Sequence, residues 1–165
     1  MAVQVPALAG EDAAAAITAP IAALVDAHPT ILEHAEYGCD DDDIAELEVA
    51  LGHALPGELE ELLRMSDGGT LNAAPHSMQL VSSSDMAAWA EQGLMQELEA
   101  VPFARDDSGT LLLCDSEGAW GGEKGGIFRV VFKRWVRGKP LGDAHKVANS
   151  LAELFEHVAA GRRAW

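Results

Sequence analysis

One 26-residue stretch constrains this chain more than any other. Ile44, Leu47 and Leu51 recur at helical spacing, Gly52 follows at once, and Asp42 or Asp43 stands ready to cap the start. Leu55-Pro56 then opens a second apolar series, Leu59, Leu62, Leu63 and Met65, which runs into Asp67-Gly68-Gly69. Proline suits a first helical turn, where its missing N–H costs nothing, and paired glycines end a helix. The spacing therefore predicts two short amphipathic helices joined by a tight Gly-x-x-Leu-Pro corner. Each has a single apolar stripe, so both need a sheet or further helices to bury it.

The rest of the chain supplies those surfaces. Pro102 forbids helix and Asp107-Ser108-Gly109 is turn chemistry, so Val101 to Leu113 reads as a hairpin whose second strand starts at Thr110. Ile127 to Val136 is the clearest strand: Phe128, Val130 and Phe132 alternate with Arg129, Val131 and Lys133. Ser150-x-x-Glu153 is a capping box before a closing helix with Leu151, Leu154, Phe155 and Val158 on one face and Gly161 as the stop. Upstream, Pro20 begins a helix through Ile21, Leu24 and Val25 that Pro29 stops, and a further turn or two is expected over Thr30 to Tyr37. A short strand near Met78 to Val81 and a helix from about Asp85, capped by Ser84 and carrying Met86 and Trp89, complete the reading. The expected class is α+β, mainly antiparallel sheet with helices packed around it. At 165 residues and 48% hydrophobic content, residues 20–165 suffice for one domain behind a flexible Ala-rich segment, 1–19.

In order and spacing these pieces resemble the SUKH superfamily, the bacterial immunity proteins whose relatives include a fungal regulator of cell-wall glucan synthesis. The resemblance spans roughly residues 44 to 158. It is carried by Ile44, Glu48, Leu51-Gly52, Leu55-Pro56, Leu62-Leu63 and Asp67-Gly68-Gly69, then by Pro102, Phe103, Asp106 and Gly109 in the hairpin, and by the closing helix. Asp67 departs from the asparagine common before the two glycines, and the glycine-rich run Gly118 to Gly126 is an insertion. The resemblance implies a non-enzymatic immunity protein that binds and neutralises a cognate toxin. A housekeeping scaffold or regulator of an endogenous protein is the alternative, and a small-molecule enzyme the third reading.

Charge bears on the partner. Residues 1 to 100 hold nineteen acidic residues against one basic residue, Arg64, while residues 101 to 165 hold eight acidic and ten basic, for a net charge of −16. A field of that sign repels phosphate backbones and anionic membranes, so nucleic acid and membrane are not expected partners. A basic polypeptide fits, such as a nuclease-type toxin with a cationic active site. The opening, Met1 to Thr18, has no basic residue and no apolar run near the ~20 residues a bilayer requires, so a cytoplasmic location is expected. Cys39 and Cys114 lie far apart, outside any Cys-x-x-Cys spacing, and read as ordinary buried thiols.

No motif carries chemistry. In Gly118 to Gly126, Lys124 is followed by Gly rather than Ser or Thr and a strand follows, so this is a loop and not a phosphate cradle. Asp40-Asp41-Asp42-Asp43 lacks the alternate spacing and turn glycine of a calcium loop and suits helix capping and solvation. The six histidines, His28, His34, His53, His76, His145 and His157, form no metal-ligand spacing, and no Gly-x-Ser-x-Gly elbow marks a nucleophile. No cofactor, metal or catalytic residue is expected. Glu48, the one polar member of the helical skeleton, reads as a structural hydrogen-bonding or exposed residue rather than a general base. Candidate partner contacts are the acidic run Asp40, Asp41, Asp42 and Asp43 for steering, with a solvated face as the alternative, and the aromatics Tyr37, Trp89, Trp120 and Trp135 as anchors, with a core role for any of them as the alternative.

Overall fold

The two short helices form where the apolar spacing puts them. In the computed structural model, which describes residues 20–73, 76–93, 96, 99–121, 123–131, 134–136, 139–141 and 144–162, a first helix (α1) covers 20–27 and a 3-10 turn Pro29–Ile31 leads to strand β1, Leu32–Glu33. Helices α2, Asp41–Leu51, and α3, Gly57–Met65, follow. Then come β2, Thr70–Ala73; β3, His76–Leu80; α4, Ser83–Glu91; and the hairpin of β4, Val101–Arg105, with β5, Thr110–Asp115. The chain continues through β6, Gly126–Val131; β7, Arg134–Val136; β8, Lys139–Leu141; β9, Ala144–Ala148; and the closing helix α5, Leu151–Ala159. The segment 1–19 lies outside the described residues, as do Phe132 and Lys133.

Seven strands make one antiparallel sheet in the order β1-β2-β3-β4-β5-β6-β9, while β7 and β8 pair with each other. One face of this sheet, through Leu71, Met78, Val101, Phe103, Leu112 and Ile127, packs with Ile21, Leu47, Leu59, Leu62, Met86, Leu154 and Phe155 of the helices in a continuous core. Each such side chain contributes about 1.5–3 kcal/mol on burial. On the opposite face a small cluster of Ala100, Leu113 and Val130 is flanked by Leu111 and Trp120. The chain is thus the α+β, mainly antiparallel protein that the periodicities predict.

Local corrections have local causes. The cap of α2 is Asp40, not Asp42 or Asp43: its carboxylate accepts from Asp43 N–H at 2.9 Å, and Asp43 accepts from Asp40 N–H at 3.0 Å. This reciprocal box starts the helix one turn earlier. Pro56 is the cap residue of α3 and not in its first turn, and α3 ends at Ser66, before the glycines. The expected turns over Thr30 to Tyr37 are the 3-10 turn plus β1, because Leu32 and Glu33 find partners in Leu71 and Thr70 of β2, a strand the sequence pattern does not announce. Helix α4 starts at Ser83 under a Ser82 cap rather than a Ser84 one. Residues Ile127 to Val136 are two strands and not one. In α5, Ser150 caps Glu153 N–H as expected, but the Glu153 carboxylate accepts from Asn149 N–H rather than from Ser150.

Candidate functional site

Family-motif residues turn out to be joinery. Glu48 accepts the Leu55 N–H at 2.9 Å, so its carboxylate spans the corner between α2 and α3 and satisfies a backbone donor there. Ile44, Leu51 and Leu55 are buried beneath it, and Gly52 takes φ 80 at the end of α2. In the β4–β5 hairpin, Pro102 lies in β4 and Gly109 takes φ 88. There Asp106 accepts from Ser108 N–H, Ser108 O–H and Thr110 N–H. Burial alone would raise the Asp106 carboxyl, but these donors together outweigh it and hold it below its ordinary value.

Between β1 and α2 the chain makes an ordered crossing that presents a surface. His34 turns the chain at φ 51, a left-handed conformation uncommon for a residue with a side chain. The following backbone is tied to the end of α3: Glu36 N–H donates to Ser66 Oγ at 3.0 Å, and Cys39 N–H to the Leu63 carbonyl at 2.9 Å. Ser66, 1% exposed, donates its hydroxyl hydrogen bond to the Gly68 carbonyl at 2.6 Å. Gly38 lies so close that a Cβ there would be 1.7 Å from the Arg64 carbonyl oxygen. The outcome is Tyr37, 99% exposed on a backbone fixed at both sides. The ring of Tyr37 thus keeps its apolar area in water on a backbone that is already ordered.

Carboxylates flank it along the chain. Glu33, Glu36 and Asp40 to Asp43 are exposed. Arg64 is engaged within the chain, by Asp41 at 2.8 Å and Glu60 at 2.9 Å. Between the end of β1 and the start of α4 lies an open cleft of about 460 Å³ whose lining includes His34, Glu36, Asp67, Gln79, Ser82 and Asp85. Asp67 forms part of its floor, accepting from Ser83 N–H and, at 2.9 Å, from Ser83 O–H, and so anchors the start of α4. Both Asp67 carboxylate oxygens thus accept from Ser83.

Tyr37 and Asp40 to Asp43 are all exposed, while Trp89 and Trp120 are each half-buried. Trp89 is half-buried against the core, with the Arg105 guanidinium 5.7 Å from its ring centre. Trp120 is half-buried in the loop before β6, 5.6 Å from Phe128, and that loop is held by the buried Asp115, which accepts from Ala119 and Trp120 N–H. Trp135 is on β7 opposite Pro140, its side chain outside those described. Sequence reasoning missed Gly38, Ser66 and the Asp67–Ser83 link, since none belongs to a local motif; only the fold brings their partners near. Both cysteines are buried, and burial pushes Cys39 up to about 11 and Cys114 up to about 12, away from any nucleophilic thiolate. Among the described residues no cluster of His, Cys, Asp and Glu could hold a metal ion, and no helix is long and apolar enough to cross a membrane.

Comparison with known proteins adds one finding. The family model for SMI1 / KNR4 (SUKH-1) matches residues 38–157, a span that opens at the Gly38 contact and closes within the last helix. No curated protein matches the chain.

Proposed function

The chain belongs to the SMI1 / KNR4 family (SUKH-1), and from that premise we propose that it is a non-enzymatic immunity protein that occupies a basic surface of a cognate toxin with the face around Tyr37. The observation that carries this reading is the 99% exposure of Tyr37 on a braced loop, in an acidic stretch of chain where Arg64 is already paired with Asp41 and Glu60. Charge and shape divide the work. The acidic field steers a cationic partner, raising association from an ordinary ~10⁵–10⁶ toward ~10⁸ M⁻¹s⁻¹ at low salt. Burial of the tyrosine ring then slows departure, as central aromatic anchors do. A nuclease-type toxin suits such a face because its phosphate site is cationic, and an acidic protein seated there keeps substrate out.

Asp40 to Asp43 changed together to asparagine keeps side-chain acceptors for the α2 cap and removes four charges. Stopped-flow binding to the product of the adjacent toxin gene should then show slower association with a flatter salt dependence and nearly unchanged dissociation. Tyr37→Ala should do the reverse, raising dissociation at least about tenfold. Unchanged rates in both variants would place the partner on another face. Rescue of toxin-expressing cells supports immunity, whereas co-purification with a metabolic enzyme and no rescue would favour the regulator reading.

A further inference from the structure

We propose that α1 is a detachable strap, held on the domain by Ile21 and by one buried carboxylate, Glu61, whose negative charge weakens the contact it makes. The proposal is independent of the partner face.

The described part of helix α1 is residues 20–27, a stretch of about two turns that does not persist alone in water. Its hold on the domain is narrow. Ile21 is fully buried, Leu24 and Val25 pack only in part, and the remaining side chains face outward or are half-buried. The polar clamp is Glu61 Oε1, which accepts the Ala22 N–H at 3.1 Å and so satisfies one of the unpaired donors at the helix start.

Glu61 is itself only 9% exposed, and its other oxygen, Oε2, has no hydrogen-bond partner among the described residues. A buried carboxylate with one donor is under-solvated, and undocking α1 would return both oxygens to water. Among the described residues Glu61 makes no ion pair. From α3 itself comes Glu58, a like charge, whose carboxylate is committed to the Leu151 and Ala152 N–H groups at the start of α5, at 2.8 and 3.2 Å. From α1 there is no charged side chain before Asp26, which is exposed. Consistently, burial first and Glu58 as well push the Glu61 carboxyl above its ordinary value, against the Ala22 hydrogen bond. The sign follows: docked α1 favours the protonated acid and undocked α1 the carboxylate, so the strap closes as pH falls and loosens as it rises.

Hydrogen exchange on the full chain tests this at about pH 5 and about pH 7.5, with each amide corrected for its intrinsic rate. In the wild type, amides 22–27 should open more readily than those of α3, and their opening constant should be at least about threefold larger at the higher pH while that of α3 changes less. Glu61→Gln should abolish the pH dependence at 22–27; Ile21→Ala should raise opening at both pH values and keep it. The idea is overturned if wild-type 22–27 opens only together with α3, if its opening constant is the same at both pH values, or if Glu61→Gln retains the wild-type dependence. Should Glu61→Gln fail to fold, the wild-type comparison decides.

Discussion

Replacing Gly38 by alanine puts a methyl group 1.7 Å from the Arg64 carbonyl oxygen, and the obstacle is backbone rather than a side chain that can turn away. Ordinary contact needs more than 3 Å, so the loop or the end of α3 must move by well over an ångström. Such a shift breaks the Cys39 N–H bond to Leu63 and strains the Glu36 bond to Ser66. One buried backbone bond left unmade costs about 1–3 kcal/mol. With loosened packing around the buried Cys39, the total should be about 2–4 kcal/mol. For a urea dependence of about 2 kcal/mol per molar, the midpoint should fall by about 1–2 M. Gly57→Ala is the internal control: nothing lies within 4 Å of its added methyl and the residue begins a helix, so stability should hold or rise by about 0.4–1 kcal/mol. A Gly38→Ala midpoint within about 0.3 M of wild type would refute the bracing of the Tyr37 loop, whatever its effect on binding.

Other substitutions probe the remaining joints. Glu48→Ala orphans the Leu55 N–H and should cost about 1–3 kcal/mol in urea unfolding, whereas any catalytic role would leave stability near wild type. Asp106→Ala removes three accepted hydrogen bonds from the hairpin turn and should cost about 1–2 kcal/mol; because this carboxyl is held low in the fold, its stabilisation is present above the unfolded value and is lost as pH falls through the folded one. Glu61 carries the opposite sign. Its raised value means that stability declines as pH rises from the unfolded value through the folded one, so the difference between Glu61→Gln and wild type should grow in favour of the variant over that window, measured by denaturant titration. Both thiols should resist alkylation at pH 8 in the native protein and react together in denaturant; rapid native labelling of either would contradict their burial.

How much was legible in the chain depended on how local the cause was. The stripes of α2, α3 and α5, the Asp107-Ser108-Gly109 turn and the buried alternation of β6 follow from spacing and turn chemistry within a few residues, so they could be read directly. The acidic run Asp40 to Asp43 was legible for the same reason, since charge needs no partner to be counted. Boundaries slipped where two neighbouring residues could serve one purpose, as with Asp40 against Asp42 or Asp43, and Ser82 against Ser84, because only the backbone path decides which carboxylate or hydroxyl meets an N–H.

By itself, the sequence settled the fold class, the family resemblance and the sign of the field, because these rest on periodicity, motif order and composition. Tertiary structure alone decided that β1 and β2 exist, since each is held by its pairing rather than by its own pattern. It also decided that Tyr37 stands exposed beside the acidic run while Trp89 and Trp120 pack against the fold. The reason is physical: an aromatic's role depends on whether other apolar surface reaches it, and the contacts that hold Tyr37 out, from Ser66, Leu63 and Arg64, come from the far end of another helix.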